Sequence, residues 1–268
     1  MVNKRRLLVI AAGIGVFAYL WQLAIRASTM NDLYAGIIFN ANLNFDFIQY
    51  FLFAVATLGF MGVGETFGRN FGIYVLVRNR STFKMFLQFL WKAIKYTTFF
   101  EFTKVLVFGV VLVITSGKFD FADVGSFFYL LVMNYLFLLN IVAFEMFMEI
   151  LVDSKIAIYA TQVFLLGSIF VADTINRLSN YQSFGVLILL NSTMNNRMEL
   201  LKDSAASVYV LAPIVQIFFF SIMCLFCVFK FRRKTGYKAE GLNATDKFHK
   251  LYQSNQEENH PRRYHLPV

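Results

Sequence analysis

Four ionisable residues lie inside otherwise apolar stretches, and their spacing limits the chemistry open to them. Glu101 and Lys104 are three apart, so on a helix they share a face. A lysine at the middle of a membrane helix costs about 2.5 to 3.5 kcal/mol to insert, so Lys104 calls for a partner such as Glu101, and that pair can be purely structural. Glu145 and Glu149 are four apart on one face and repel each other unless a cation, a basic neighbour or water intervenes. That face is a candidate inner vestibule, and the four residues together are a candidate pathway. The plainer alternative leaves Glu149 at headgroup level near Lys155.

Other chemical signatures fall away on inspection. Cys224 and Cys227 match C-x-x-C but lie in an apolar run with no thioredoxin-like strand and helix, which favours packing or palmitoylation over redox work. Glu257-Glu258-Asn259-His260-Pro261-Arg262 matches the E-E-x-x-x-R pattern of intramembrane proteases, yet it falls in a polar tail, and no apolar stretch contains a His. No catalytic residue and no metal ligand set is assigned. The phosphate-binding pattern G-x-x-x-x-G-K-[ST] is absent, so ATP bound by that route must sit on another chain.

The elements that must position these residues follow from composition. Of 268 residues 58% are apolar, 33 are Phe and only 15% are charged, well short of the roughly 25% of a soluble domain. Six apolar stretches approach or reach the roughly 20 residues that cross a bilayer: 7–25, 47–63, 96–115, 126–150, 157–172 and 207–229. The alternation of a β-barrel is missing, so these are helices, with every backbone polar group satisfied internally. With the N-terminus inside, 19 of the 25 Lys and Arg face the cytoplasm and five face out. That bias puts both termini in the cytoplasm, and it reads the net charge of +9 as a membrane signature rather than a nucleic-acid one. The first stretch reads as an uncleaved anchor, because Arg26 interrupts the only small-residue site near its end. Residues 1–229 form the membrane domain, and 230–268 a polar, basic cytoplasmic tail.

The stretch from Gly64 to Lys95 mixes apolar and basic residues. Phe67, Phe71, Tyr74 and Val75 recur at helical spacing, which predicts a short amphipathic helix on the membrane surface with Arg69 facing water. Glu65, Gly72, Arg78, Ser81 and Lys84 stand where the six-helix permease subunits of ABC exporters carry an acidic residue, a glycine, a basic residue, a serine and a lysine. The chain resembles that ABC-2-type family over about residues 1–235. The resemblance implies an all-α membrane protein with six transmembrane helices and both termini cytoplasmic. An amphipathic coupling helix would lie between spans two and three, and a re-entrant or interfacial helix, around 184–190, before span six.

It further implies a non-enzymatic transport subunit in the bacterial cell membrane that moves an amphipathic peptide or lipid-like substrate outward. Glu65, Arg69, Gly72, Tyr74, Arg78 and Arg80 would couple it to an ATP-binding cassette subunit holding ATP and Mg. A second permease copy or paralogue, membrane lipid and no nucleic acid complete the implied partners. The competing reading is a non-transporting sensor, immunity or assembly protein that binds acidic lipid or a cytoplasmic partner. An ion-coupled carrier fits less well, because the sequence lacks paired Gly- or Pro-broken spans in two equivalent halves.

Overall fold

The computed structural model describes residues 4–36, 43–64, 82–178, 184–185, 187–202 and 208–229, and no strand occurs among them. The helices are α1 (Lys4–Ile25), α2 (Met30–Tyr34), α3 (Leu43–Phe60), α4 (Thr82–Ser116), α5 (Val124–Leu151), α6 (Ser154–Arg177), α7 (Asn195–Lys202) and α8 (Val208–Phe229). Five of them, α1, α4, α5, α6 and α8, are long and apolar enough to cross a membrane, and α3 is a shorter apolar helix. Leu8, Val16, Phe102, Ile114, Val163 and Phe218 are among many large apolar side chains left exposed, a surface that water does not tolerate and lipid does. The chain is a multi-pass membrane protein.

Local chemistry sets the helix ends. Asp123 caps α5 by accepting from the Gly125 and Ser126 amides, and Asp153 caps α6 by accepting from those of Lys155 and Ile156. Only Val152 and Asp153 separate α5 from α6, so the two form a tight helical hairpin. α4 stops at Gly117, whose φ of +71° is a left-handed conformation that costs glycine nothing. At its other end α4 begins at Thr82 rather than near Tyr96, as hydropathy predicts. Lys84, Lys92 and Lys95 end the apolar run, but lysine is a good helix former, so the helix continues past the hydrocarbon.

α5 is the most buried of the long helices and α8 the least. α1 packs on α3 and α4, and α5 packs on α3, α4 and α6. Phe53 of α3 meets Phe137 of α5 edge-on, with ring centroids 4.8 Å apart. The Tyr96 hydroxyl donates to the Ala56 carbonyl at 2.6 Å, an approach possible because Gly59 has no Cβ to strike Tyr96 or Ile10.

The connections gather at two ends. At the capped end, α2 lies against the turn before α5: the Met30 amide donates to the Asp120 carbonyl and the Asn31 side chain to the Asp123 carbonyl. Asn196 of α7 donates to the carbonyls of Ala35 and Gly36, joining α7 to the residues that follow α2. The opposite, loop end carries Gly62, Gly64 and the α5–α6 hairpin. Within the apolar run, Phe184, Gly185 and Leu187 take 3-10 helical conformation, and further helical pieces follow as a 3-10 turn at Asn191–Thr193 and as α7. The Ser192 and Thr193 hydroxyls donate to the Leu189 and Leu190 carbonyls, and the Asn191 amide to that of Gly185. These side-chain bonds supplement the Ile188 amide on Gly185, the Thr193 amide on Leu190 and Gln216 on Leu189.

α2 shows how a small cap is secured. Asp32 accepts from the Ser28 and Thr29 amides and the Ser28 hydroxyl, while Thr29 accepts from the Asp32 amide, a complete capping box. Burial pushes the Asp32 carboxyl up, but the donors at Ser28 and Thr29 outweigh it and hold it below its ordinary 3.8. A depressed folded value means that stability is present in full above 3.8 and lost as pH falls through the lower, folded value. Asp32→Ala is expected to cost about 1 kcal/mol at neutral pH and nothing once the wild-type carboxyl is protonated. Thermal melts of both forms across acid pH check this.

Candidate functional site

At the loop end, α3 terminates and Gly62 takes φ +80°. The Glu149 carboxylate, near the end of α5, accepts from the Gly62 amide through one oxygen and the Gly64 amide through the other, each at 2.5 Å. A Cβ on Gly64 would strike that carboxylate, so glycine is what lets the backbone come this close. Charge-assisted bonds of this kind are about twice as strong as neutral ones. The carboxylate therefore pins the backbone that leads into 65–81 to the central helix. Glu65, Arg69, Gly72, Tyr74, Arg78 and Arg80, with Ser81, lie outside the described residues, as does the tail 230–268. Lys84, at the start of α4, is exposed. Glu145, one turn from Glu149, is fully buried, and neither of its oxygens has a hydrogen-bond partner among the described residues.

Nearer the capped end, a polar layer crosses the bundle. Lys104 pairs with Glu101 at 2.7 Å, both almost completely buried, and its ammonium lies 4.5 Å from the centroid of the Tyr34 ring. The Tyr34 hydroxyl donates to Glu101 at 3.1 Å, and Lys104 donates to the Asn134 side chain at 3.4 Å. Asn134 donates in turn to the Thr193 carbonyl. Beside it, Gln216 of α8 donates to Ser192 and to the Leu189 carbonyl, and accepts from Asn140 of α5. The layer thus ties α2, α4, α5, α8 and the 189–193 backbone together. Glu101 and Lys104 belong to this layer, whereas Glu145 and Glu149 face the loop end, so the two pairs occupy different depths.

A third cluster locks the cap. Arg197 of α7, fully buried, lies 3.5 Å from Asp46 at the start of α3 and 3.2 Å from Asp173 near the end of α6, and donates to Asn191 at 3.0 Å. Burial draws the guanidinium below its ordinary value, while Asp173 and Asp46 pull it back up. The guanidinium neutralises one of the two carboxylate charges and lies between both, so opening the cluster is costly, because Arg197 would be left buried without its acidic partners.

Sequence reasoning did not single out Arg197, Asp46 or Asp173, which read as ordinary charges at span borders. It also passed over Asn134, Asn140 and Gln216, whose signal was their position: uncharged amides within apolar spans, where side chains of this kind bond between helices. Among the described residues no group of three or more His, Cys, Asp or Glu is placed to hold a metal ion. Cys227 is buried in the apolar core, and both cysteines are free thiols. The described residues thus form a carboxylate clamp at one end, an ion cluster at the other and a polar layer between them.

The model of a family described as "Protein of unknown function (DUF2705)" matches residues 2–235, and the chain belongs to that family. No curated protein and no solved structure matches it.

Proposed function

We propose that this member of the DUF2705 family is the membrane-spanning permease subunit of an ATP-driven ABC exporter, with ATP and Mg bound on separate partner subunits. The observation that carries this reading is the Glu149 carboxylate on the Gly62 and Gly64 amides, which fastens the entry of the 65–81 segment to α5. In this reading the segment docks on a nucleotide-binding subunit through Glu65, Arg69, Gly72, Tyr74, Arg78 and Arg80. Closure of the ATP sites displaces the segment, and Glu149 passes the displacement to α5 as a rigid-body movement. The polar layer then carries it to the capped end, where Arg197 holds the cap on α3 and α6.

The reading counts α3 as a short sixth span, which puts both termini and the 65–81 segment on the cytoplasmic side of the bacterial cell membrane, in keeping with the distribution of Lys and Arg. A second permease copy or paralogue completes the pathway, and the cargo is an amphipathic peptide or lipid-like molecule moved outward. Affinity purification from native membranes tests the assignment. The expected result is co-purification of a subunit bearing a phosphate-binding loop, with Gly72→Asp or Tyr74→Ala releasing that subunit while the helices stay inserted. Chain purified alone that performs its whole activity in liposomes without a nucleotide-hydrolysing partner overturns it.

A further inference from the structure

We propose that the exposed face of α4 between Trp91 and Phe102 is a binding site for one anionic phospholipid, its phosphate on Lys95 and its acyl chain along Phe99 and Phe102. Trp91, Ile94, Lys95, Thr98, Phe99 and Phe102 line a groove of about 400 Å³. Their spacing places all six on one side of the helix. The groove lies within the size range of small-molecule clefts, about 300 to 1,000 Å³.

The depth of the groove fits a lipid lying across the edge of the hydrocarbon. α4 has 35 residues, which at about 1.5 Å per residue is about 52 Å, against a hydrocarbon core of about 30 Å. Counting about 20 residues back from the polar stop at Gly117 reaches the level of Thr97. Lys95 and Trp91 therefore stand among the headgroups, the usual station of an interfacial tryptophan, while Phe99 and Phe102 lie in hydrocarbon. Phe99 is 40% and Phe102 62% exposed, free to receive a chain. Beneath the groove, the hydroxyls of Thr98 and Tyr135 lie 3.3 Å apart, joining α4 to α5.

Charge selects the headgroup. Residues 82–100 contain Lys84, Lys92 and Lys95 and no Asp or Glu, and all three lysines are exposed. The first carboxylate on the helix, Glu101, is buried against Lys104. Among the described residues Lys95 makes no ion pair, and its ammonium lies 5.3 Å from the Trp91 ring centroid. A cation held over an aromatic ring at the headgroup level, with no acid beside it, is a receptor for a phosphate bearing a net negative charge. A zwitterionic lipid brings its own cation and gains less. The site does not depend on the transport reading, since it requires only that α4 cross the bilayer.

The chain's two tryptophans make the test direct, because Trp21 is fully buried and Trp91 is 56% exposed. The purified full-length protein is placed in nanodiscs of phosphatidylcholine carrying a minor fraction of brominated phosphatidylglycerol or brominated phosphatidylcholine. Trp91 emission is obtained by subtracting that of a Trp91→Phe variant. The expected result is stronger quenching by the anionic lipid, with an apparent affinity preference that Lys95→Gln lowers about fivefold, the share of one basic residue near the surface. Lys95→Arg retains the preference, which separates loss of charge from loss of fold, and unchanged Trp21 emission confirms folding. Equal quenching by the two lipids, a preference indifferent to Lys95→Gln, or no quenching by either because a second protein covers the groove, overturns the proposal.

Discussion

On the proposed permease reading, Glu149→Gln is expected to uncouple the two halves of the molecule's action while leaving the partner subunit bound. The glutamine keeps one acceptor for one of the two backbone amides and turns an amide donor toward the other, so a donor faces a donor. Hydrogen bonds to a charged group contribute about 1.5 to 3 kcal/mol each, so the variant is expected to lose about 2 kcal/mol of stability at the loop end. If that loss falls wholly on the coupled state, transport drops about thirtyfold. Glu149→Asp, a carboxylate too short to reach both amides, is expected to fall between. The check is substrate-stimulated ATP turnover of the reconstituted complex beside the quantity of partner retained. Full turnover with Gln at this position would mean that the displacement reaches α5 by another route.

Arg197→Met is expected to be the most destabilising single change at the capped end. It removes the one cation that, among the described residues, pairs with both Asp46 and Asp173, and leaves the two carboxylates without it. Removing one member of a buried ion pair costs about 3 to 5 kcal/mol. The triple variant Arg197→Met, Asp46→Asn, Asp173→Asn is expected to recover most of that, because its polar groups carry no uncompensated charge. Thermal melts in nanodiscs separate the cases: a triple variant no more stable than the single one would show that Arg197 acts through packing alone. Cap opening also has a readout, since loss of the lock is expected to raise hydrogen exchange at α7 and α2 together, joined as they are through Asn196.

The apolar runs were enough to find the long helices, and the three-residue spacing is enough to set Glu101 against Lys104 on α4. Helix ends were harder, for a physical reason. Hydropathy registers where lipid stops, whereas the helix stops where its backbone does, so Lys84, Lys92 and Lys95 mark the first boundary and Thr82 the second. The 184–190 run suggests a short helix, and its described residues include 3-10 conformation at Phe184, Gly185 and Leu187, followed by a segment rich in side-chain to backbone bonds. Asn191, Ser192 and Thr193 add a second donor to carbonyls that Ile188, Gln216 and the Thr193 amide also serve, so irregular chain lies deep within protein with its polar groups satisfied. The Arg197 lock was invisible because its carboxylates come from helices far apart in sequence, and no local pattern marks such a meeting.

The position of Glu149 on α5 has one more consequence. Asn134, which holds the polar layer, is fifteen residues before it on the same helix, about 22 Å away at about 1.5 Å per residue. α5 contains no proline, and its one glycine, Gly125, sits in the first turn, so nothing between these residues invites a bend. A beam of that length turns a small tilt at its foot into a larger sideways sweep at its head. A shift too slight to break any contact around Glu149 would thus arrive beneath the cap as a stroke wide enough to exchange one set of neighbours for another.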